Sequence, residues 1–502
     1  MGKGVFADIP KLLHALRWKS EDFWLDRGNQ NALHLFNSMS ARVPAYKDFL
    51  NKHNVNVGLI RSIDDFKYLP ILDKDNYLRA YDIKDLCWDG KFDEHNWVIS
   101  ATSGSTGEPY YFPRTDVQDK QYAINAELYL LNNFQIDRKS TLYINCFAMG
   151  IWIGGVFTYQ ALKHIAQKAQ YNITIANPGT NKKAALDAIR HLGGEFDQVI
   201  IGGYPPFVKD LIDDGEQYGV NWFMHDIGFI FSAEGFTEDF RDYFVEKTSL
   251  INPLRGTLNH YGTVDMGTMA HETPLSIMVR RLALHSKDVY AKLLSNIHKL
   301  PTICQYLPEF FYFEQQDNGL ICSSFSGIPL MRYDLKDSGG IFTFSTLFSH
   351  FNKIGLDLSQ LIKDNKIQDT IWRLPFVFLY ERKDFVVTLY GVNIYPETIR
   401  KVLIYKEFQN YITGKCQLEV DFDQKQNQFL CIYIEKRPGV IIDKDLSFRI
   451  KEKIIKRLLL ENSEYYQLSN DISERTVPKI IFCDYEDSTH FSTGGKQKWI
   501  KK

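Results

Sequence analysis

From about residue 140 onward, short apolar runs alternate with amphipathic stretches of helical period, and this alternation leaves few architectures open. Val199–Gly203 reads as a buried strand and Pro205–Tyr218 as the helix after it. Gly228–Ser232 is the next strand, followed by a helix with Thr237 as its cap and Phe240, Tyr243 and Phe244 on one face. The pattern predicts an α/β fold whose large N-terminal part has mixed or parallel sheets flanked by helices. Leu142 to Leu162 carries no charge and has Gly150 and Gly154 at GxxxG spacing, so by length it qualifies as a membrane span. Asn145, Thr158, Gln160 and three glycines within it favour a buried strand–turn–helix instead. Ile9, Leu12, Leu13 and Leu16 recur at helical spacing beside Lys11, Arg17 and Lys19, which reads as a helix packed on the protein body, with peripheral membrane contact left open.

Ser286–Leu300 reads as a helical insertion, and Phe342–Asp369 fits neither pattern cleanly. Toward the C-terminus the character changes. Gln417–Asp423 and Phe429–Glu435 alternate like paired strands around the turn Gln424–Gln428; Asp445–Asn462 is an amphipathic helix and Lys479–Cys483 a further strand. These elements predict a small mobile α+β domain over residues 382–502 after a large domain over residues 1–381. The join near Arg382–Asp384 is short and charged, which suits two bodies that reorient about a hinge.

Lys and Arg number 59 against 61 Asp and Glu, so no global field recruits nucleic acid or acidic lipid. Seven cysteines without a CxxC pair read as reduced, buried thiols of a cytoplasmic protein. His260, His271, His285 and Cys304 have no compact ligand spacing, so scattered core and surface positions are expected of them rather than zinc.

The sharpest local feature is Ser100-Ala101-Thr102-Ser103-Gly104-Ser105-Thr106-Gly107-Glu108-Pro109. Its first eight positions hold five hydroxyls and two glycines, many donors on a backbone able to close around an anion. No GxxxxGK[ST] occurs, so it is not a Walker A loop; a plain surface loop is the other reading. With its trailing Glu-Pro, the run resembles the phosphate-binding loop of the adenylate-forming superfamily (acyl-CoA synthetases, adenylation domains, luciferases), written SSGTTGxP there.

The resemblance continues in order. Ala41–Leu50 (ARVPAYKDFL) and Tyr68–Arg79 (YLPILDKDNYLR) are similar to N-terminal signatures of the phenylacetate–coenzyme A ligase branch. Ser232–Arg241 (SAEGFTEDFR) resembles GAEPWTEEMR, and His260–Asp265 (HYGTVD) resembles YGxSE. Arg332–Asp337 (RYDLKD) resembles RYRTRD, and Tyr380–Pro396 (YERKDFVVTLYGVNIYP) resembles GRxDDMIxxxGxNxFP. Thr493-Gly494-Gly495-Lys496 resembles the C-terminal catalytic-lysine motif.

The resemblance implies an enzyme that activates a carboxylate with ATP to an acyl-adenylate, releases pyrophosphate and passes the acyl group to a thiol, coenzyme A first. A carrier-protein thiol or an amine acceptor in polysaccharide or natural-product biosynthesis is the alternative. It implies that Thr102, Ser103, Gly104, Ser105, Thr106 and Gly107 hold phosphates and that Asp265 holds Mg²⁺. Glu234 and Tyr261, with Gly262 and Thr263 in the same motif, would flank the adenine. Asp337 would accept from the ribose hydroxyls, Arg382 would approach the nucleotide, and Lys496 would reach both the carboxylate and the α-phosphate. Asp384 falls at the hinge and Gly391 lines the pantetheine channel. Trp152, Tyr204, Phe207 and Met266 are pocket walls by position relative to the motifs; their character fits an aryl acid and equally an ordinary core.

Read singly, Asp265 fits a helix N-cap, Asp337 a turn residue and Lys496 a solvated basic tail. Glu108 stands where relatives often have lysine, with Arg114 available to compensate. Asp265 is one methylene shorter than the usual Glu, Glu381 replaces a glycine and Asp334 an arginine. These departures keep open a non-catalytic nucleotide-binding protein on the same scaffold.

Overall fold

The middle strands of the parallel half of the large sheet are buried on both faces. In the computed structural model these are β3 (Thr141–Asn145), β5 (Gln198–Gly203) and β6 (Ile227–Phe231), every residue of which is buried, as strands covered by helices on both sides must be. The structure describes residue 6 and residues 8–500 apart from 103–108, 234, 237, 249, 251, 295–299, 383–385, 404 and 492–499. Among the described residues β1 (Val98–Ala101) and β2 (Tyr111–Arg114) form a small antiparallel pair, and β4 (Ile173–Ala176) lies beside β3. The chain continues with β7 (Thr257–Thr263), β8 (Gly267–His271), β9 (Thr302–Tyr306), β10 (Phe311–Gln316), β11 (Gly319–Ser324), β12 (Leu330–Phe342) and β13 (Phe376–Arg382).

These strands build an 11-stranded sheet in the order β10-β11-β12-β13-β9-β8-β7-β6-β5-β3-β4. From β4 to β7 neighbours run parallel, linked by the helices Ile153–Gln167, Lys182–Leu192, Pro205–Asp214 and Glu238–Thr248; from β7 to β10 they run antiparallel. The fold is thus α/β as expected. Leu142–Leu162 is the expected strand, turn and helix, and no described helix is long and apolar enough to cross a membrane.

The antiparallel half is covered by the helices Ile9–Trp18, Glu21–Arg42 and Pro44–Lys52, whose Leu12, Leu16, Trp24, Phe36 and Tyr46 share a core with Phe313 and Leu320. The N-terminal helix therefore packs on the body, with Ile9, Leu12 and Leu16 buried. Phe342–Asp369 resolves into the helices Phe344–Lys353 and Leu358–Asp364, capped by Thr343 and Asp357, between β12 and β13. In the predicted insertion the helix Lys287–Leu293 follows a cap at Ser286; residues 295–299 lie outside the described residues.

Arg241, fully buried, is held by Glu238 and Glu272, and Glu272 also accepts from the Asn259 N–H at 2.9 Å. A buried guanidinium needs such full pairing, and here it ties the helix Glu238–Thr248 to β7.

Beyond residue 386, β14 (Val387–Leu389) and β15 (Val392–Ile394) form a hairpin, and β16 (Ile412–Phe422), β17 (Gln428–Lys436) and β18 (Lys479–Cys483) a three-stranded sheet. The expected strand pair is present around the turn after Phe422, with β18 parallel to β17. Leu446, Ile450, Ile454 and Leu458 of the helix Lys444–Glu461, spaced by four, pack in a separate apolar cluster with Leu418, Leu430 and Ile432. Polar contacts join this part to the large sheet. Asp210 accepts from Arg475, Asp471 accepts from the Thr180 hydroxyl at 2.5 Å, and the buried Lys209 ammonium donates to Asn427 at 3.1 Å. All seven cysteines are buried free thiols.

Candidate active site

Strand β3 is followed by β4 on one side, and β5 returns to its other side, so the C-terminal ends of β3 and β5 flank a topological switch point, where open α/β sheets bind ligands. Trp152 and Tyr204 sit there, each half-buried at the N-cap of the helix that follows its strand. The Tyr204 ring packs edge-on against Phe147, centroids 5.5 Å apart. Gly391 meets the same ring. It lies in the β14–β15 turn at φ +83° beside Tyr390 at +49°, and a Cβ on it would come within 3.2 Å of Tyr204. Left-handed φ at both turn residues matches the twist of a two-residue hairpin, and only glycine fits at the second position.

The hydroxyl-rich run leaves the same mouth. Ala101 donates its N–H to the Ile151 carbonyl at 3.1 Å, which ties β1 to the segment before the helix Ile153–Gln167. Thr102 N–H donates to Tyr110 O, and Tyr110 N–H donates to Thr102 Oγ1, both at 3.0 Å, closing the base of a hairpin loop. Ser103, Gly104, Ser105, Thr106, Gly107 and Glu108 lie outside the described residues. Arg114 does not serve as a surface counter-charge: it is buried, donates to Ser100, lies 3.6 Å from Asp119 and covers the Phe157 ring.

Asp265 occupies the tight turn from β7 to β8, not a helix N-cap. Gly262 permits the turn, since a Cβ there would stand 2.6 Å from the Gly267 carbonyl, and Thr263 Oγ1 accepts from Met266 N–H at 3.2 Å. Asp265 is buried; its Oδ2 accepts from the Tyr333 hydroxyl at 2.5 Å and lies 3.8 Å from the Lys74 ammonium. Lys74 arrives because Leu72 pairs with β12 on both sides of Tyr333, donating to Arg332 O and accepting from Asp334 N–H. Arg332, at φ +50°, gives its guanidinium to Glu314 at 3.1 Å and to the Leu69 carbonyl, and Asp334 pairs with Lys336 at 3.0 Å.

Asp337 is likewise buried and accepts from the Tyr261 hydroxyl at 2.6 Å. It lies opposite Arg382 in the β12–β13 register; of Arg382 only the backbone is described. Tyr261 stacks on Phe313 at 6.2 Å. Expected site residues from β7, β12 and β13 are thereby brought to one region, Tyr261 with Asp337 and Asp337 with Arg382. Two pocket assignments sit in packed interior. Phe207 is 2% exposed in the core beneath the parallel strands, and Met266 is 4% exposed with its sulfur accepting from Ser324 at 2.9 Å. Glu234, Asp384 and Lys496 lie outside the described residues. Lys74, Tyr333 and Tyr110 were not singled out from sequence; Lys74 and Tyr333 fall inside motif segments quoted above, the only signal they carry.

His260 and His271 are core residues, rings 6.5 Å apart among Tyr129 and Trp372, and the Cys304 thiol faces the Asn259 carbonyl. Burial holds His271 down at about 4, against the Glu272 backbone hydrogen bond that favours its charged form, and burial together with the neighbouring His271 holds His260 well below the usual imidazole range. The unfolded chain protonates both near pH ~6.5, so their contribution to stability is full above that pH and is lost as pH falls toward 4. His271→Asn, which keeps a donor for the Glu272 carbonyl, is expected to lose about 2 kcal/mol less stability than the parent between about pH 7.5 and 5. Denaturant titrations of both proteins at the two pH values check this, and equal losses contradict it.

No protein-family model and no curated protein sequence matches the chain. Solved structures do. 2-Hydroxyisobutyryl-CoA ligase in complex with 2-HIB-AMP and CoA in the thioesterification state superposes with a TM-score of 0.65 at 13% identity, over 96% of this chain and 89% of that one. The same ligase in the postadenylation state with R3-HIB-AMP gives 0.54 at 12% identity, covering 97% and 91%. In an open conformation it gives 0.53 at 12% identity, covering 96% and 91%. The chain therefore has the fold of an adenylate-forming ligase, large sheet and small C-terminal sheet included.

Proposed function

We propose that the chain is an ATP-dependent, AMP-forming acid–thiol ligase with coenzyme A as the acceptor. The observation that carries the reading is the convergence at β7, β12 and β13: the Tyr261 hydroxyl donates to Asp337, Asp337 is paired with Arg382 in the strand register, and Asp265 stands in the adjoining turn, all on a scaffold shared with an acyl-CoA ligase. A carboxylate is a poor acyl donor until its oxygen attacks the α-phosphate of ATP, and a protein assists that step by positioning and by stabilising charge. Asp337 is an anchored acceptor for ribose hydroxyls. The hydroxyl- and glycine-rich segment between Thr102 and Tyr110 is the proposed cradle for the β- and γ-phosphates.

One buried carboxylate at the mouth is a donor set that fits a divalent ion arriving on phosphates, so Mg²⁺ would be held by Asp265 and would supply charge neutralisation there. Tyr333 and Lys74 fix which oxygen of Asp265 is already engaged. Lys496 is the proposed bridge between the acid and the α-phosphate, a mobile point charge suited to an oxyanion shared by two groups. Asp384 is the proposed hinge between a domain at 1–381 and one at 382–502. Trp152 and Tyr204 are the proposed acid-pocket walls, and Gly391, packed on the Tyr204 ring, is the proposed lining of a pantetheine channel.

The higher TM-score with the thioesterification arrangement, 0.65 against 0.54 and 0.53, supports reading the present pose as the acyl-transfer one. The pair Asp210–Arg475 then belongs to that pose alone. Asp210→Asn is expected to lower acyl transfer to coenzyme A about tenfold and leave adenylation within about threefold. Separate assays of the two half-reactions check it, and equal loss in both contradicts it.

The reading itself is tested by carboxylate-dependent exchange of labelled pyrophosphate into ATP with a panel of aryl and alkyl acids. Exchange that requires an acid supports it. ATP binding without exchange for any acid favours the scaffold as a non-catalytic nucleotide-binding protein.

A further inference from the structure

Strand β18 ends on a thiol, and the turn that follows folds back over it. Among the described residues, Cys483, Asp487 and His490 form the one group of metal-capable side chains, with their ligand atoms all within 4.8 Å of one another. His490 Nδ1 lies 3.8 Å from Cys483 Sγ and 2.6 Å from Asp487 Oδ2. A tetrahedral zinc with bonds of 2.0–2.3 Å sets its ligand atoms roughly 3.3–3.7 Å apart, so small movements would bring the three donors onto one ion, with water as the fourth ligand.

The three groups are held by the surrounding fold. Asp487 accepts from the Thr489 N–H at 3.2 Å, and its carbonyl accepts from the backbone of His490 at 3.2 Å and Phe491 at 2.7 Å. The His490 ring stacks on Tyr433 of β17 with centroids 4.1 Å apart and an interplanar angle of 22°. Cys483 pairs with Glu435 in the β17–β18 register, and Glu435 accepts from the Glu486 N–H at 3.0 Å, pinning the start of the turn. Two nearby carboxylates are engaged elsewhere: Glu435 with Lys415 at 3.1 Å and Asp484 with Lys436 at 2.7 Å.

A thiol, an imidazole and a carboxylate also suggest a nucleophilic triad, but that chemistry needs the base to use one ring nitrogen for the nucleophile and the other for the carboxylate. Here thiol and carboxylate meet the same nitrogen, Nδ1, and Cys483 is buried. Convergence of three different donors on one point, from within one strand end and one turn, is the geometry of a chelate.

We infer that Cys483, Asp487 and His490 bind one divalent transition-metal ion, zinc by ligand type, which clasps the turn after β18. Its place in the chain gives it a use. The turn leads within a few residues to Thr493–Lys496, so the clasp anchors the base of the segment that carries the proposed bridging lysine. The site stands on its own geometry and holds whether or not the chain adenylates an acid.

Cobalt(II) titration of the full-length, reduced, chelator-treated protein tests it. One equivalent is expected to bind, with a near-ultraviolet thiolate-to-cobalt band and the visible bands of four-coordinate cobalt, both removed by added zinc. Cys483→Ser is expected to abolish the near-ultraviolet band, and His490→Gln to weaken binding at least tenfold, with far-ultraviolet dichroism unchanged in both. Absence of a thiolate band in the parent protein overturns the inference. So does an unaltered band in Cys483→Ser, which would place the ion on one of the six other cysteines.

Discussion

Lys496→Ala is expected to reduce acid-dependent pyrophosphate exchange about a thousandfold while leaving the melting temperature within a degree or two. The proposed role explains both halves. In the adenylation transition state negative charge develops on oxygens shared by the acid and the α-phosphate, and a charge aimed there is worth about 3–4 kcal/mol when water is excluded. In the sequence Lys496 follows Gly494 and Gly495 and precedes Lys498, Lys501 and Lys502, so the substitution removes a charge and no apolar side chain. Steady-state exchange alongside a melting curve checks the pair of outcomes. Exchange within tenfold of the parent removes Lys496 from adenylation.

Asp337→Ala carries the second large effect. It removes the proposed ribose acceptor and also leaves the buried Tyr261 hydroxyl without the carboxylate it donates to at 2.6 Å. A charged hydrogen bond contributes about 1.5–3 kcal/mol, so the KM for ATP is expected to rise roughly 10- to 100-fold. Asp337→Asn, which still accepts from Tyr261, is expected to recover stability but only part of the nucleotide affinity. An alanine variant that is destabilised yet keeps the parent KM for ATP would make Asp337 a structural residue only.

The parallel half of the fold was legible because strands covered on both faces must be apolar throughout, and Val199–Gly203 and Gly228–Ser232 each match a strand of the structure to within a residue. The C-terminal sheet was legible from its alternation. Phe344–Asp364 resisted because its two helices are only 10 and 7 residues long and their aromatic content obscures the period. The site was legible only where motif residues neighbour each other in register, as Asp337 and Arg382 do. Nothing local in the sequence announces that Lys74, Tyr333 and Asp265 meet, because an isolated bridge between Leu72 and Tyr333 creates the contact. Phe207 was placed in the acid pocket by its distance from a motif, but only Tyr204, ahead of the helix, faces the mouth; three residues later the side chain turns into the core beneath.

Oxygen tracing tests the central chemistry most directly. Pooled aryl and alkyl acids labelled with oxygen-18 in both carboxylate positions are incubated with the protein, ATP, Mg²⁺ and coenzyme A, and the phosphorus products are weighed by mass spectrometry. Attack of the acid on the α-phosphate predicts AMP carrying one heavy oxygen, with unlabelled pyrophosphate. Label in inorganic phosphate with ADP as the nucleotide product, or AMP formed without label, contradicts an acyl-adenylate.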